Sequence, residues 1–278
     1  RGYEMATRAP SAMARTLLTP ALLVAILLAI TVLVWSFGSG TLQRTVVEML
    51  IRVTLVVGIW IFVGNSGIMS FGHIGFMCLG AYAAAWFTIP PMLKEISLLP
   101  AVVAAILGPV LMRLAGIAAS IATFAMLAVI NTVYANWSSV TGGTSSIVGI
   151  PVRTDVWLAL GFAAAAIVIA YLYAISRSGL ALRAARDEAI AAQASGVHIE
   201  RERTIAFVLS AFVCGAAGVL YAHFLGIVTP DAFFLTATFV ALSMLVVGGI
   251  NSLSGAVIGV VTISTIIQLL RWMERGVA

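Results

Sequence analysis

Arg183, Arg186, Asp187 and Glu188 crowd into six positions of a chain that is otherwise poor in charge. Guanidinium and carboxylate groups at that density either dock on a partner through charge-assisted hydrogen bonds or decorate a solvated loop. They belong to a 27-residue island, Arg177–Arg203, with the sequence RSGLALRAARDEAIAAQASGVHIERER. The chain has 15 Lys and Arg and 10 Asp and Glu, and nine of these fall in the island. Such a segment cannot cross lipid, since one charge at the bilayer centre costs roughly 3 kcal/mol on the most lenient scales. Leu180, Leu182, Ala185, Ala189 and Ala192 recur at near-helical spacing, and Gly196 stands where a helix would stop. The spacing predicts an amphipathic helix over 180–195 against the membrane face, with Ala191 and Ala192 near its end.

A second set of polar residues lies inside apolar sequence. GNSGIMSFGHIGFMCLGAY (64–82) contains Ser66, Ser70, Gly72, His73 and Gly75; GGINSLSGAVIG (248–259) contains Gly248, Gly249, Ser252 and Gly255. Irregular backbone at membrane depth survives only where protein buries it or where it lines a cavity. A pair of such stretches, one in each half of the chain, predicts a transport pathway built from repeats. Close helix packing through small residues is the competing reading. His73 either lines that path, bonds a broken helix end, or is a neutral structural histidine.

Other reactive groups carry less. Glu48 and Arg52 are four apart and read as an ion pair near the membrane boundary. Asp231 reads as an outer-surface loop carboxylate, and His198 with Glu200 lacks metal-site spacing. Cys78 and Cys214 sit in apolar segments and read as packing thiols without a disulfide. The sequence has no G-x-x-x-x-G-K-[ST] loop, so it binds no nucleotide by that device.

The elements that must position these groups are membrane spans. The chain is 62% hydrophobic and 9% charged, with mean hydropathy +1.13, whereas soluble domains average about 25% charged residues. Its 278 residues accommodate roughly eight or nine spans of ~20 residues. Apolar runs place spans at 17–36, 46–63, 74–90, 100–113, 116–136, 157–176 and 205–225, then a broken stretch at 233–270. Arg8 and Arg15 precede the first run, which is too long for a signal-peptide core, so the N-terminus is expected in the cytoplasm. The island and Arg113 then also face inward, and the loop at 137–156 faces outward. Two full spans after 225 would put Arg271 and Arg275 outside against the arginine bias, so either 233–250 is re-entrant or half-length, the re-entrant form being the expectation, or the span count is wrong earlier. The net charge of +5 is topology information rather than a nucleic-acid footprint.

From about Leu50 to Leu270 the chain resembles the membrane-spanning permeases of bacterial branched-chain amino acid ABC transporters. Four stretches in order carry the likeness. They are G-x-x-S-F-G-H-x-x-F-x-x-x-G-A-Y at Gly67–Tyr82, W-x-S-x-T-G-G with a later G-I-P at Trp137–Pro151, RAARDEAIAAQASG at Arg183–Gly196, and A-F-V-L-S-A-x-x-x-G-x-A-G-x-L-Y-A at Ala206–Ala222. The chain departs from the family pattern at Thr144–Ser146 and Asn251–Ala256.

The resemblance implies an all-α, polytopic permease of about eight or nine transmembrane or re-entrant helices. It would form one domain over 1–278 in the bacterial cytoplasmic (inner) membrane, with 177–203 as its cytoplasmic coupling loop. It implies alternating access for branched-chain or other small hydrophobic amino acids, with Arg183, Arg186, Asp187, Glu188, Ala191, Ala192 and Gly196 coupling to an ATPase. The implied partners are a second homologous permease, two ABC ATPase subunits that hold ATP and Mg, a periplasmic or extracellular substrate-binding protein, and membrane lipid. No nucleic acid, catalytic residue, bound cofactor or metal is implied for this chain. A permease for urea or short amides is the neighbouring alternative, and an ATP-independent channel the more distant one. Gly64–Gly67 also matches the G-x-S-G of rhomboid-type intramembrane proteases, and Ala222–Gly226 their A-H-x-x-G, which would make Ser66 and His223 a nucleophile and base.

Overall fold

The computed structural model describes residues 10–88, 116–137, 141, 143 and 145–277. The expected span at 100–113, with Arg113, lies outside the described residues, as do Arg8 and Thr144. The helices are α1 (Pro10–Phe37), α2 (Gly40–Ser66), α3 (His73–Thr88), α4 (Gly116–Asn136) and α5 (Val156–Ile175), then α6 (Arg177–Asp187), α7 (Ala189–Ala194), α8 (Ile199–Leu225), α9 (Leu235–Gly248) and α10 (Leu253–Val277). Two short strands, β1 (Ile147–Val148) and β2 (Ile227–Val228), pair antiparallel with Ile147 opposite Val228. Among the described residues, seven helical stretches are long and apolar enough to cross a membrane. The chain is a polytopic all-α membrane protein.

Helix ends fall where the chain can close its own hydrogen bonds. α2 stops at Gly67, whose positive φ of 71° lets its N–H return to the Val63 carbonyl. α8 stops the same way at Gly226, whose N–H reaches Ala222 O. Asp155 caps α5 by accepting from the Val156 N–H at 2.7 Å. Ser176 then separates α5 from α6 and caps the latter by accepting from Gly179 N–H.

The core sits on α2. Leu50, Val53, Val56, Val57, Ile61, Phe62 and Val63 are fully buried, and α3, α5, α8, α9 and α10 pack around that helix directly or through one another. α2 and α8 run antiparallel, with the Ser210 hydroxyl donating to Gly58 O at 2.6 Å and Cys214 Sγ lying 3.8 Å from Leu55 O. Both cysteines are free and buried, as the sequence predicts. α3 meets α8 through Gly80, Gly215 and Gly218: a Cβ on Gly218 would strike Met77 O, and one on Gly80 would strike Gly215 O. The outer faces of α1, α5 and α8 keep Leu18, Leu33, Trp157 and Phe212 exposed, as lipid contact requires.

The re-entrant expectation for 233–250 gives way. α9 alone has 14 residues, about 21 Å at 1.5 Å per residue, but a 3-10 turn at Pro230–Phe233 extends the apolar stretch to 19 residues, Pro230–Gly248. It starts beside α4, where Asn131 donates to Pro230 O, and ends at Asn251, within reach of Arg186. α10 then returns antiparallel to α2, pinned by Trp60 Nε1 to Ile250 O at 2.8 Å and by Thr45 Oγ1 to Gln268 at 3.3 Å. Arg271 therefore lies at the end of the bundle away from the charged island. The arginine count misled because the α9–α10 packing, not the flanking charge, sets the direction of these helices.

Backbone-to-backbone contact at Gly218 makes a concrete demand. Gly218→Leu should destabilise the detergent-solubilised protein by ~3 kcal/mol or more, read as a drop of several degrees in thermal midpoint. Gly161→Leu, at a position with open space around it, should leave the midpoint within about a degree.

Candidate functional site

The expected single helix over the island is two, α6 and α7, hinged at Glu188, which adopts an extended backbone (φ −150°, ψ 98°). Gly196 follows with φ +85°, the stop the sequence predicts. Arg183 and Arg186 turn inward. Arg183 donates to Ala174 O at 2.5 Å, closing the C-terminal end of α5. Arg186 donates to Gly64 O at 2.8 Å and to Asn251 Oδ1 at 3.4 Å, and pairs with Asp187 at 3.0 Å. One guanidinium therefore ties the island to the end of α2 and to the α9–α10 turn. Ala192 is buried with Ala185 and Ile199 in a small satellite core, which folds α7 back towards α8. Asp187, Glu188, Ile190, Ala191 and Gly196 face outward, and Ile190 is 78% exposed.

The glycine-rich stretch after α2 is buried rather than open. Ser66 accepts from Ile68 N–H at 3.2 Å, and Ser70 bonds His73 Nδ1 at 2.8 Å. Phe62, Phe76 and Phe207 surround the His73 ring with centroids 5.3–6.2 Å away. A Cβ on Gly72 would meet Met126 Cε at 2.7 Å, and one on Gly75 would meet Ile130 Cδ1 at 2.8 Å. Gly248 and Gly255 press on each other's backbone, Gly249 turns the chain at φ +104°, and Ser252 accepts from Gly255 N–H at 3.0 Å.

The Ser66–His223 pairing fails on geometry. The Gly58–Ser210 and Leu55–Cys214 contacts set α2 and α8 antiparallel, so His223 is level with the first turns of α2. Ser66 lies about 20 residues further along that helix, ~30 Å away at 1.5 Å per residue. His223 instead bonds Pro151 O at 2.9 Å, holding the β1 segment over the end of α8.

What the residue types did not reveal is a cavity of ≈ 280 Å³ between α2 and α9. None of the serines, glycines or the histidine singled out in the two glycine-rich stretches lines it. Its apolar wall includes Leu55, Val56, Met77, Val240 and Met244, and its polar groups include Glu48, Arg52, Tyr221 and Asp231. Glu48 and Arg52 form an ion pair. They stand eight and twelve residues into the 27-residue α2. The signal available in the sequence was their presence within a long apolar run; the spacing of four made them look like surface helix pairing.

Residues 41–274 match the family described as "Branched-chain amino acid transport system / permease component". The chain belongs to that family. This permease is 26% identical over 283 residues to "High-affinity branched-chain amino acid transport system permease protein LivM" of Escherichia coli (strain K12), covering 85% of its own length and 65% of the relative's. It is equally similar to the LivM protein of Salmonella typhimurium. A shorter match, 35% identical over 104 residues, links 37% of the chain to 33% of the LivH permease protein of Salmonella typhimurium. The chain thus spans a little under two thirds of the length of the LivM relatives it matches. No solved structure matches it.

Within this permease, Gly67 and Arg186 occupy one another's space: a Cβ on Gly67 would lie 2.6 Å from Arg186 Cγ, and its backbone is left-handed. Gly67→Ala should therefore cost ~1–3 kcal/mol of local strain and push Arg186 off Gly64. Limited trypsin digestion of membranes should then cut the island, at Arg177 or Arg201, several times faster than in the unsubstituted protein. An unchanged digestion rate would mean that Arg186 does not hold the island in place.

Proposed function

We propose that this permease is the membrane-spanning subunit of an ATP-driven importer for branched-chain or other small hydrophobic amino acids, working by alternating access in the bacterial inner membrane with its N-terminus in the cytoplasm. Family membership supports the class. The observation that carries the mechanism is the Arg186 clamp, because the two helices it joins, at Gly64 and Asn251, lead into both walls of the cavity.

In this reading the ATPase subunits hold ATP and Mg, and the exposed elbow at Asp187–Ala191 is where one of them docks. An elbow with Ile190 exposed just after the exposed Asp187 and Glu188 offers an apolar anchor beside charge. Closure of the ATPases would push the elbow, and Arg186 would pass the push to α2 and the α9–α10 hairpin as a rigid-body shift. A second permease would complete the pathway, and a binding protein would deliver substrate at the opposite end, near the β1–β2 pair and Asp231. Chemistry on the substrate has no place in this scheme.

Coupling is tested by removing the clamp and the anchor separately. Arg186→Ala loses charge-assisted hydrogen bonds worth ~1.5–3 kcal/mol, so leucine uptake by cells dependent on this chain should fall about tenfold or more while membrane ATP hydrolysis persists. Ile190→Asp should instead strip the ATPase from the solubilised complex. Normal uptake in both variants would remove the coupling role from this elbow.

A further inference from the structure

We propose that the cavity between α2 and α9 is a binding site for one small aliphatic amino acid held as its zwitterion, with Arg52 taking the carboxylate, Glu48 and Asp231 taking the ammonium group, and Leu55, Val56, Met77 and Val240 receiving the side chain. The proposal rests on the importer reading and adds what that reading lacks, namely the residues that recognise the cargo inside the membrane.

Three observations converge on it. The cavity, ≈ 280 Å³, lies just below the roughly 300–1,000 Å³ of sites for drug-sized ligands, a size for a single amino acid rather than a peptide. Its lining is mostly apolar and includes charged groups of both signs, the combination that suits a molecule with a charged head and an apolar tail. Finally, Glu48 and Arg52 keep 27% and 24% of their side-chain surface accessible although α2 is otherwise the most buried helix. Ionisable groups in membrane spans are paired and mark substrate pathways.

The presence of both signs of charge in the lining selects the ligand class. In the empty site Arg52 is neutralised by Glu48, and Asp231, which also lines the cavity, leaves it one carboxylate in excess. A zwitterion offers a carboxylate to Arg52 and an ammonium to the two acidic side chains, so each of its charges meets an opposite one and the net charge of the site does not change. An aliphatic carboxylate without an amine would add a third negative charge to the site. An amino alcohol would leave Arg52 with nothing new to bind. Neither engages the cation and the carboxylates of the lining together, as a zwitterion does.

The test places a reporter thiol in the wall. Thr236 lines the cavity and is exposed, while the native Cys78 and Cys214 are buried, so in Thr236→Cys a maleimide reads out the cavity alone. In membranes containing the full chain, L-leucine should slow alkylation, and leucinol and 4-methylpentanoate should slow it far less. Adding Arg52→Gln should raise the leucine concentration needed for protection about tenfold, as expected for a lost hydrogen bond to a charged group, with protection measured against that variant's own ligand-free rate. Where Arg52→Gln alone does not accumulate in the membrane, Glu48→Gln/Arg52→Gln removes both charges together and serves the same comparison. Equal protection by all three compounds, no protection, or protection indifferent to Arg52→Gln would overturn the site, provided that cells relying on the unsubstituted chain take up leucine. If that uptake is itself missing, the importer reading falls first and the site with it.

Discussion

Hydrocarbon offers no hydrogen-bond partner, so every break in a helix of this bundle has to find one inside the protein. The break after α2 does so in several ways at once. Gly67 returns its N–H to Val63, Phe71 N–H reaches Thr123 Oγ1 at 3.3 Å, and Arg186 takes the free carbonyl of Gly64. The break between α9 and α10 is closed by Gly249 and Ser252, and by Trp60, which takes the Ile250 carbonyl. Because the partners are drawn from other helices, each repair is also a tie between elements far apart in the chain. Arg186 makes two such ties at once, to residues 122 and 65 positions away.

That constraint explains why the same residues bear on stability and on the proposed coupling. In the proposed scheme a charge that satisfies backbone carbonyls is also a handle, because a push on α6 would be passed through Arg186 to the ends of α2 and of the α9–α10 hairpin. The walls of the cavity include earlier turns of α2 and α9. A partner acting on the exposed elbow would therefore reach the interior through packed helices and one guanidinium, without any loop threading the bundle.

The glycines divide into two groups for different physical reasons. Gly67, Gly226 and Gly249 are needed for a left-handed or otherwise unusual backbone that ends a helix. Gly80, Gly218, Gly248, Gly255 and Gly259 are needed because the backbone of another helix occupies the space of a side chain. In lipid, where apolar surface gains nothing by leaving the solvent, such close approach is the main source of attraction between helices.

Much of the fold was legible in the sequence because its signals are local. Apolar length marked the spans, the charge island marked a segment outside the membrane, and Gly196 marked the end of its helix. The four motif stretches were specific enough for the family resemblance, since residue types at fixed spacing need no contacts to be read. The cavity was not legible. Glu48 and Arg52 looked like ordinary helix-surface pairing, and Asp231 like a loop carboxylate, because nothing local says that residues about 180 positions apart along the chain share a wall. The same limit let His223 and Ser66 look like partners, and it let arginine count argue against α9 as a crossing helix. Spacing along one helix or loop is a property of the chain itself. Which helix lies against which, and therefore which charges meet, was decided only when α2 packed against α8, α9 and α10.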